Sequence, residues 1–190
     1  MRKLIAGVTL GLLLSAAQSA VAANLVTNGG FETGNFSGWT QFGNTSFTAV
    51  DGPIFGVDPH SGNRQAYFGP SGSAGGIQQT LTVTPNTDYT IEFWLNNLAG
   101  APNFYQVLFD GVPLTVVGGS GAFEYTHFSF TGTTDGDATA VLRFAFQHDP
   151  SLFFLDDVSV DLAAVPEPAT LALLGLGLAG LGAAGRRRKG

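Results

Sequence analysis

The middle of the chain alternates apolar and polar positions with a period of two, which predicts β-strands. The alternation is cleanest over 87–97, where the odd positions from 89 to 95 are apolar and the even positions are polar or tryptophan. Further strands are predicted over 104–109, 124–130, 141–147 and 153–160. Asp110-Gly111 separates two strands with a typical hairpin signal. Many short strands with glycine-rich turns and no long amphipathic helix predict an all-β sandwich or barrel over 24–162.

The first 23 residues have the three parts of a secretory signal peptide. Arg2 and Lys3 precede an apolar run over 4–14, and small residues follow. Val21-Ala22-Ala23 fits signal peptidase, with Ala20-Val21-Ala22 as a rival site. An uncleaved N-terminal anchor is the alternative, but the apolar run is short for a membrane span.

The C-terminal segment, 163–190, combines three elements in a fixed order. A Pro-Glu-Pro motif comes first, then an uncharged run over 169–185, then a basic tail over 186–189. As a transmembrane helix the run would span about 25 Å, with the basic tail in the cytoplasm. This segment resembles the PEP-CTERM sorting signal, through Val165, Pro166, Glu167, Pro168, Arg186, Arg187 and Arg188.

The resemblance to PEP-CTERM proteins implies how the chain is processed and where it resides. An exosortase would recognise the segment and remove the tail, after signal peptidase has acted at the other end. The precursor would be anchored in the inner membrane of a Gram-negative bacterium. The mature protein would then lie in the cell envelope or the extracellular matrix.

The charge distribution narrows the possible partners. Of the eight basic residues only Arg64 and Arg143 lie between 24 and 164, whereas every acidic residue except Glu167 lies there. So acidic a surface would be repelled by phosphate backbones, which disfavours nucleic acid as a partner. The chain has no cysteine, which excludes thiol nucleophiles and disulfides.

Several short motifs in this domain resemble carbohydrate-binding modules with a galactose-binding-like jelly roll. They are residues 28–32 with Trp39, residues 60–66, residues 77–81 before Pro85, the strand over 89–94, and residues 155–158 near the end. In order and spacing they span nearly the whole domain. The resemblance implies a jelly-roll β-sandwich, a polysaccharide ligand (the cell's own exopolysaccharide among the candidates) and a structural calcium.

A Ca²⁺ site is predicted where the first turn meets the last strand. The period of two places Asp156 on one face with Phe154, Val158 and Val160, and Asp157 on the opposite face. A buried carboxylate without a lysine partner favours a hard cation. The resemblance implies Glu32 and Asp156 as ligands, with carbonyl groups around Asn28 and Ser61. Alternatively, Asp156 accepts backbone N–H groups and Glu32 faces solvent.

A sugar-binding surface is predicted from polar and aromatic residues that point outward from their strands. Trp94 lies on the polar face of its strand, and similar positions occur on other strands. If these strands are neighbours, one surface carries Trp94, Asn96, Gln106, Tyr125, His127 and Arg143. The alternative is that Trp94 packs under a loop, with His127 and Arg143 as ordinary solvated side chains. Gln79, in phase with apolar residues, is predicted to be a buried structural glutamine.

No feature of the sequence marks a catalytic site, so a non-enzymatic binding protein is predicted. G-x-S-x-G, H-E-x-x-H and phosphate-loop motifs do not occur, and no carboxylate pair is marked for glycoside hydrolysis. Two alternatives remain. One is a purely structural matrix protein, which buried or scattered candidate aromatics would favour. The other is a polysaccharide lyase or hydrolase, which a groove with two close carboxylates would favour.

Overall fold

The computed structural model describes residues 24–164, which form ten β-strands. The strands are β1 (Thr40–Gly43), β2 (Thr48–Asp51), β3 (Gln65–Phe68), β4 (Gly75–Thr82), β5 (Asp88–Asn97), β6 (Asn103–Phe109), β7 (Val112–Gly118), β8 (Phe123–Thr133), β9 (Thr139–His148) and β10 (Phe153–Leu162). The predicted hairpin is confirmed, and its Asp110 and Gly111 both have positive φ, 51° and 76°. Both central residues of a tight hairpin turn of this kind require that conformation.

The strands form two antiparallel five-stranded sheets that pack face to face. Sheet A has the order β1-β4-β9-β6-β7, and sheet B has the order β2-β3-β10-β5-β8. Consecutive strands repeatedly change sheets, as in a jelly roll. The prediction of an all-β jelly-roll sandwich is therefore confirmed for the described residues. The predicted signal peptide and C-terminal sorting segment, from Val165 onward, lie outside them.

Aromatic side chains fill the space between the sheets. Phe93 of sheet B meets Phe144 of sheet A edge to face, with ring centroids 5.2 Å apart. Phe68 and Phe146 stack across the same interface at 4.4 Å. Burial of each such ring contributes about 1.5–3 kcal/mol. Within the described residues the strands of both sheets pack on one shared core, as expected of an independently folding domain.

The N-terminal segment is fixed along the sandwich before β1 begins. The side-chain amide of Gln79 accepts from the N–H of Thr27 at 2.8 Å and donates to its carbonyl at 3.0 Å. Gln79 is buried, as predicted. Its side chain makes the two hydrogen bonds to the Thr27 backbone that a neighbouring strand would otherwise make. Trp39 is also buried, and its indole N–H donates to the carbonyl of Asn28 at 3.2 Å.

A loop over 52–64, here called the flap, folds onto the outer face of sheet B. Its Val57 packs in a second apolar cluster with Leu152 and Phe154 of β10. Buried Gln65 holds the flap down, because its side-chain N–H group donates to the carbonyl of Val57 at 2.8 Å. Part of this outer face is therefore interior, which the strand pattern alone did not predict.

The predicted phase of the last strand is wrong because β10 contains a bulge. Its pairing with β5 shifts between Asp156 and Ser159, and Asp157 has a φ of 49°. Before the bulge Phe154 and Asp156 point outward beneath the flap, whereas Val158 and Val160 after it point into the main core. An extra residue in one strand moves all following side chains to the opposite face of the sheet. A period-two pattern in the sequence does not show where such a residue is inserted.

Within residues 24–164 no helix is long and apolar enough to span a membrane. The predicted span over 169–185 is not among these residues.

Replacing Gly76 by Ala should destabilise the domain strongly. Gly76 lies near the start of β4, between β1 and β9, and a Cβ there would collide with the backbone carbonyl of Phe144 on β9. Because the collision involves two strand backbones, we expect a loss of about 2 kcal/mol or more in the free energy of unfolding. Urea denaturation measures it. Gly136→Ala, at a site where a Cβ meets no atom within 4 Å, is the control and should change stability by less than about 0.5 kcal/mol.

Candidate functional site: two outer faces and an acid cluster

The six residues predicted to form one sugar-binding surface lie on two opposite faces of the sandwich. Trp94 and Asn96 belong to β5, and Tyr125 and His127 to β8, which are neighbours in sheet B. Gln106 of β6 and Arg143 of β9 belong to sheet A. The outer faces of two packed sheets point away from each other, so the single predicted surface is wrong. Strand patterns show which residues point outward but not which sheet carries them.

Trp94 lies beside the flap, and another ring covers one face of its indole. The imidazole of His60 stacks on Trp94 with centroids 3.8 Å apart and planes 16° apart. On the neighbouring strand the ring of His127 lies 5.0 Å from that of Trp94. The His127 Nε2 atom is 3.7 Å from a carboxylate oxygen of Glu92. Trp94 and His127 therefore do meet, but the stacking face of Trp94 is already occupied by His60.

Asn96 and Tyr125 have structural roles beneath the flap, contrary to their predicted outward exposure. Asn96 is buried. The Tyr125 hydroxyl donates to the side-chain oxygen of Gln65 at 2.6 Å. Burial, with nearby Asp156 and Asp157, raises the pKa of Tyr125 above its ordinary value, so the hydroxyl stays protonated. Asn96 and Tyr125 were predicted to be exposed only from the alternation of side chains along their strands. That alternation does not show whether a loop covers the strand.

The outer face of sheet A carries polar side chains around small residues, and these polar side chains are exposed or partly exposed in the part of the chain that the structure describes. Gly76 and Ala145 are paired neighbours at its middle, between Phe42 of β1 and Gln106 of β6. Because Gly76 has no side chain, the guanidinium of Arg143 reaches across β4 and lies 3.8 Å from the Phe42 ring centroid.

We call this surface the amide face. It comprises Phe42, Gln78, Gln106, Arg143 and Gln147 around the Gly76–Ala145 floor. Arg143 is exposed, while the three glutamines are partly exposed. Amide and guanidinium groups beside an aromatic ring offer donors and acceptors for hydroxyl groups together with an apolar contact. Phe42 and Gln78 were not among the predicted site residues, although each occupies an outward strand position.

Carboxylates converge where the β10 bulge meets the flap and the first turn, and we call this group the acid cluster. Its members are Glu32, Asp156 and Asp157. Asp157 accepts from Ser61 Oγ and pairs with His60 Nδ1, both at 2.6 Å. The prediction that Asp157 points away from Asp156 is therefore wrong. The bulge turns the side chains of both residues toward the flap.

Asp156 is completely buried and accepts only backbone donors. One oxygen accepts from the N–H of Asp157 at 2.8 Å, and the other from the N–H of Ser61 at 3.2 Å. Burial, followed by the neighbouring charge of Asp157, raises the pKa of Asp156 to about 7. Asp156 thus accepts backbone N–H groups, which was the predicted alternative to a metal ligand. These two hydrogen bonds do not offset the cost of burying the charged carboxylate, as the raised pKa indicates.

Glu32 is held at the other side of the acid cluster. One oxygen accepts from the N–H groups of Asn63 and Arg64 at 2.8 and 2.9 Å, which lowers the pKa of Glu32. Gly30 lies between the carboxylates. A Cβ at this position would be 3.5 Å from an Asp157 oxygen and 3.9 Å from both Asp156 Oδ1 and Glu32 Cγ. The missing side chain leaves a space bounded by oxygen-bearing groups.

The acid cluster fits a hard cation in its donor type but needs further ligands. Within 24–164 no three His, Asp or Glu side chains are already arranged to hold a metal. Backbone oxygens would have to complete the shell, as they commonly do for Ca²⁺. The Asn28 carbonyl, one predicted ligand, accepts from the N–H of Phe31 and the indole of Trp39. Ser61 is in contact with both Asp156 and Asp157.

The fold is that of carbohydrate-binding modules in solved structures. TmCBM61, solved in complex with β-1,4-galactotriose, matches with a TM-score of 0.61 and 20% identity over 74% of this chain and 99% of that one. The Family 16 Carbohydrate Binding Module-2 matches with a TM-score of 0.53 and 17% identity over 72% and 99%. The CBM22-1 xylan-binding domain from Paenibacillus barcinonensis Xyn10C matches at 0.53 and 16% over 77% and 98%.

Sequence comparison adds two matched segments. Residues 23–108 match the family described as a carbohydrate binding domain, and residues 164–189 match the PEP-CTERM protein-sorting motif. Exochitinase 1 of Streptomyces olivaceoviridis is 40% identical over 79 residues, which make up 41% of this chain and 12% of that protein. Both predicted resemblances are confirmed: the chain carries a PEP-CTERM sorting motif behind a jelly-roll domain of carbohydrate-binding-module type.

In the absence of metal, the domain should lose stability as the pH rises from about 4 to 7. The pKa of Asp156 is raised from 3.8 to about 7 on folding. The folded state therefore binds the extra proton in this interval, and deprotonation then costs free energy of folding. Asp156→Asn keeps the shape of the side chain but cannot titrate. The melting temperature of the variant should therefore rise relative to that of the wild type as the pH increases. Calorimetry in EDTA at pH 5 and pH 8 measures both proteins, and parallel pH profiles would contradict the assignment.

Proposed function

We propose that the chain is an exported protein whose jelly-roll domain binds polysaccharide without transforming it. The carbohydrate-binding match over residues 23–108 and the sorting motif over residues 164–189 support this proposal. The amide face carries it structurally, because it is an open sheet surface that combines hydroxyl-binding groups with an aromatic ring. Gly76 and Ala145 form a floor on which a flat polymer could lie.

The amide face supports a neutral polysaccharide better than the Trp94 side of the domain does. An extended glycan chain presents alternating hydroxyl edges and apolar C–H patches. Gln78, Gln106 and Gln147 offer both donors and acceptors to the hydroxyl groups. The Phe42 ring offers the apolar contact once Arg143 moves from above it or bonds a hydroxyl beside it. On sheet B the corresponding ring face of Trp94 is covered by His60.

The sorting motif supports the location of this binding. Signal peptidase would release residue 24, and an exosortase would recognise Pro166-Glu167-Pro168 and remove the tail. The membrane precursor would then yield a mature protein of the Gram-negative envelope or matrix. The ligand proposed for such a location is the cell's own exopolysaccharide. A purely structural matrix protein and a polysaccharide-active enzyme are the competing outcomes of the test below.

We further propose that Ca²⁺ binds at the acid cluster and stabilises the domain. The buried and poorly compensated Asp156, the neighbouring Asp157 and the space beside Gly30 support this proposal. Glu32 would contribute from the first turn, with backbone oxygens near Ser61 and Asn28 completing the shell. Such an ion would tie the N-terminal turn, the flap and the last strand together, and would keep Asp156 ionised.

Removing Arg143 and Gln106 should abolish polysaccharide binding while leaving the fold intact. The double variant Arg143→Ala/Gln106→Ala loses two outward side chains, so its melting temperature should stay close to that of the wild type. Affinity electrophoresis in gels containing galactan or xylan measures retardation of residues 24–164. Arg64→Ala is the charge-matched control, because its exposed contact with Asp51, at 3.5 Å, contributes little. Trp94→Ala should retain binding.

Three results of this experiment contradict the proposal in different ways. Unretarded wild-type protein across a wide polysaccharide panel favours the structural alternative. Loss of retardation in Trp94→Ala but not in the double variant moves the site to sheet B. New reducing ends or unsaturated products in the incubated polysaccharide show that the domain is an enzyme.

Calcium removal should destabilise the domain at neutral pH. An ion that binds only the folded state stabilises it by about 2.7 kcal/mol at a hundred times its dissociation constant. EDTA should lower the melting temperature and excess Ca²⁺ should restore it, and Asp156→Asn should abolish the response. Because the bulge brings Asp157 into the acid cluster, Asp157→Asn should weaken the response as well. Equal melting temperatures of metal-free wild-type protein with and without Ca²⁺ would refute the proposal.

A further inference from the structure

One end of the sandwich contains a cavity of about 360 Å³, which we call the end cavity. It lies where β3, β5 and β9 end and where β2 and β10 begin, and none of its lining residues belongs to the amide face or the acid cluster. Its walls combine apolar side chains with polar ones, including Phe47, Phe55, Leu98, Ser71, His148 and Asp149. This volume is at the lower end of the range of small-molecule sites.

Two phenylalanines at the end cavity are held in an unfavourable way. Phe47 is 72% exposed and Phe55 is 59% exposed, although nearly every other phenylalanine of the domain is buried or partly buried. Both also have positive φ values, 50° and 54°, in a region that bulky residues rarely adopt. Exposed rings forgo hydrophobic stabilisation, and the backbone conformation costs about 1–3 kcal/mol at each position. The Phe55 ring makes an edge-to-face contact with Tyr67, with centroids 6.2 Å apart, but most of its surface stays exposed.

The geometry points to a sugar-binding site at the end cavity, separate from the amide face, with the rings of Phe47 and Phe55 as its apolar contacts. Aromatic rings that flank a small cavity with hydroxyl and carboxylate groups suit a pyranose ring, which has apolar C–H faces and polar edges. A cavity of this size would take one sugar ring or two, such as the end of a chain or a side branch. An extended polymer would instead lie along the amide face.

A buried histidine, His148, lies at the wall of the end cavity, and its Nδ1 atom is covered by the protein. The His148 Nε2 atom lies 2.8 Å from the Asn97 side-chain oxygen and 3.2 Å from the Ala99 carbonyl. The amide nitrogen of Asn97 is committed to the Gly121 carbonyl, which fixes the orientation of that side chain. Since both neighbours of Nε2 are acceptors, Nε2 carries the proton and Nδ1 is an acceptor. Nδ1 has no partner within the described residues.

The charge around the end cavity selects a neutral ligand. Between residues 24 and 164 the only Lys or Arg residues are Arg64 and Arg143, and neither lines the cavity. Burial lowers the pKa of His148, so this ring stays neutral as well. With Asp149 in the wall, a uronic acid, a sulfated sugar or an anionic lipid surface would meet only like charge. A neutral sugar meets no such repulsion.

The inference rests on the proposed function for its class of ligand but concerns a different site, so one titration can separate the two. Residues 24–164, labelled with ¹⁵N, are titrated with β-1,4-galactotriose and with xylohexaose, the saccharides present in two structures of similar fold. At least one probe should shift the amide signals of Phe47, Phe55 and Leu98. Shifts at Gln106 and Arg143 report the amide face independently.

Variants test whether the two rings bind the saccharide. Phe47→Ala and Phe55→Ala should each weaken binding at the end cavity about tenfold, the effect of about 1.4 kcal/mol. Phe55→Gly relieves the positive φ, so it should lose the same affinity while its melting temperature stays equal or rises. Val112→Ala is the matched control, because Val112 is also 59% exposed but lies in the β6–β7 hairpin at the other end.

The possible results lead to different conclusions. Shifts confined to Gln106 and Arg143 overturn the end-cavity site and leave the proposed function intact. Saccharide-induced shifts at positions 47 and 55 that occur with unchanged affinity in the alanine variants also overturn it. No shift with either saccharide overturns it too, and cosedimentation of the wild type with phosphatidylcholine vesicles, lost in Phe47→Ala, would then identify a membrane surface as the ligand.

Discussion

Asp156 is a carboxylate buried at the junction of three chain segments, and much of the domain's outer architecture depends on how it is compensated. The β10 bulge turns Asp156 and Asp157 toward the flap, where backbone N–H groups, Ser61 and His60 receive them. Glu32 approaches from the first turn. The flap in turn stacks His60 on Trp94. A group that is costly to bury thus helps to hold the flap in place, together with Gln65 and Val57, and the flap decides which part of sheet B stays exposed.

The flap makes the two outer faces of the sandwich unlike each other. On sheet B it packs with Tyr125 in a second small apolar cluster and covers one face of Trp94. On sheet A the outward side chains remain on the surface, and the Gly76–Ala145 floor lets Arg143 extend to Phe42. The sheet with the fewer aromatic residues is therefore the one that offers an open platform. The most prominent outward aromatic residue in the sequence is largely committed to holding the flap.

The two proposed saccharide sites differ in how they are formed. The amide face follows from ordinary strand geometry, since its side chains merely point away from the core. The end cavity is built by connecting loops. These loops hold Phe47 and Phe55 with positive φ values and with their rings exposed to solvent. Loops can maintain strained backbone conformations of this kind because the packed sheets hold both ends of each loop in place.

Alternation of apolar residues, the Asp110-Gly111 hairpin and the buried Gln79 were readable from the sequence, because each depends on local geometry or on a clear solvent preference. The C-terminal sorting motif was readable because its composition and order carry the signal, whereas the N-terminal signal peptide stays a prediction. The grouping of site residues was not readable. Gln106 and Trp94 look equivalent along their strands, and only the order of strands in space places them on opposite sheets. Asp157 was assigned to the wrong face because a one-residue bulge inverts the alternation. The cover over Tyr125 was decided by a loop whose contacts are distant in sequence, so only the tertiary structure could reveal it.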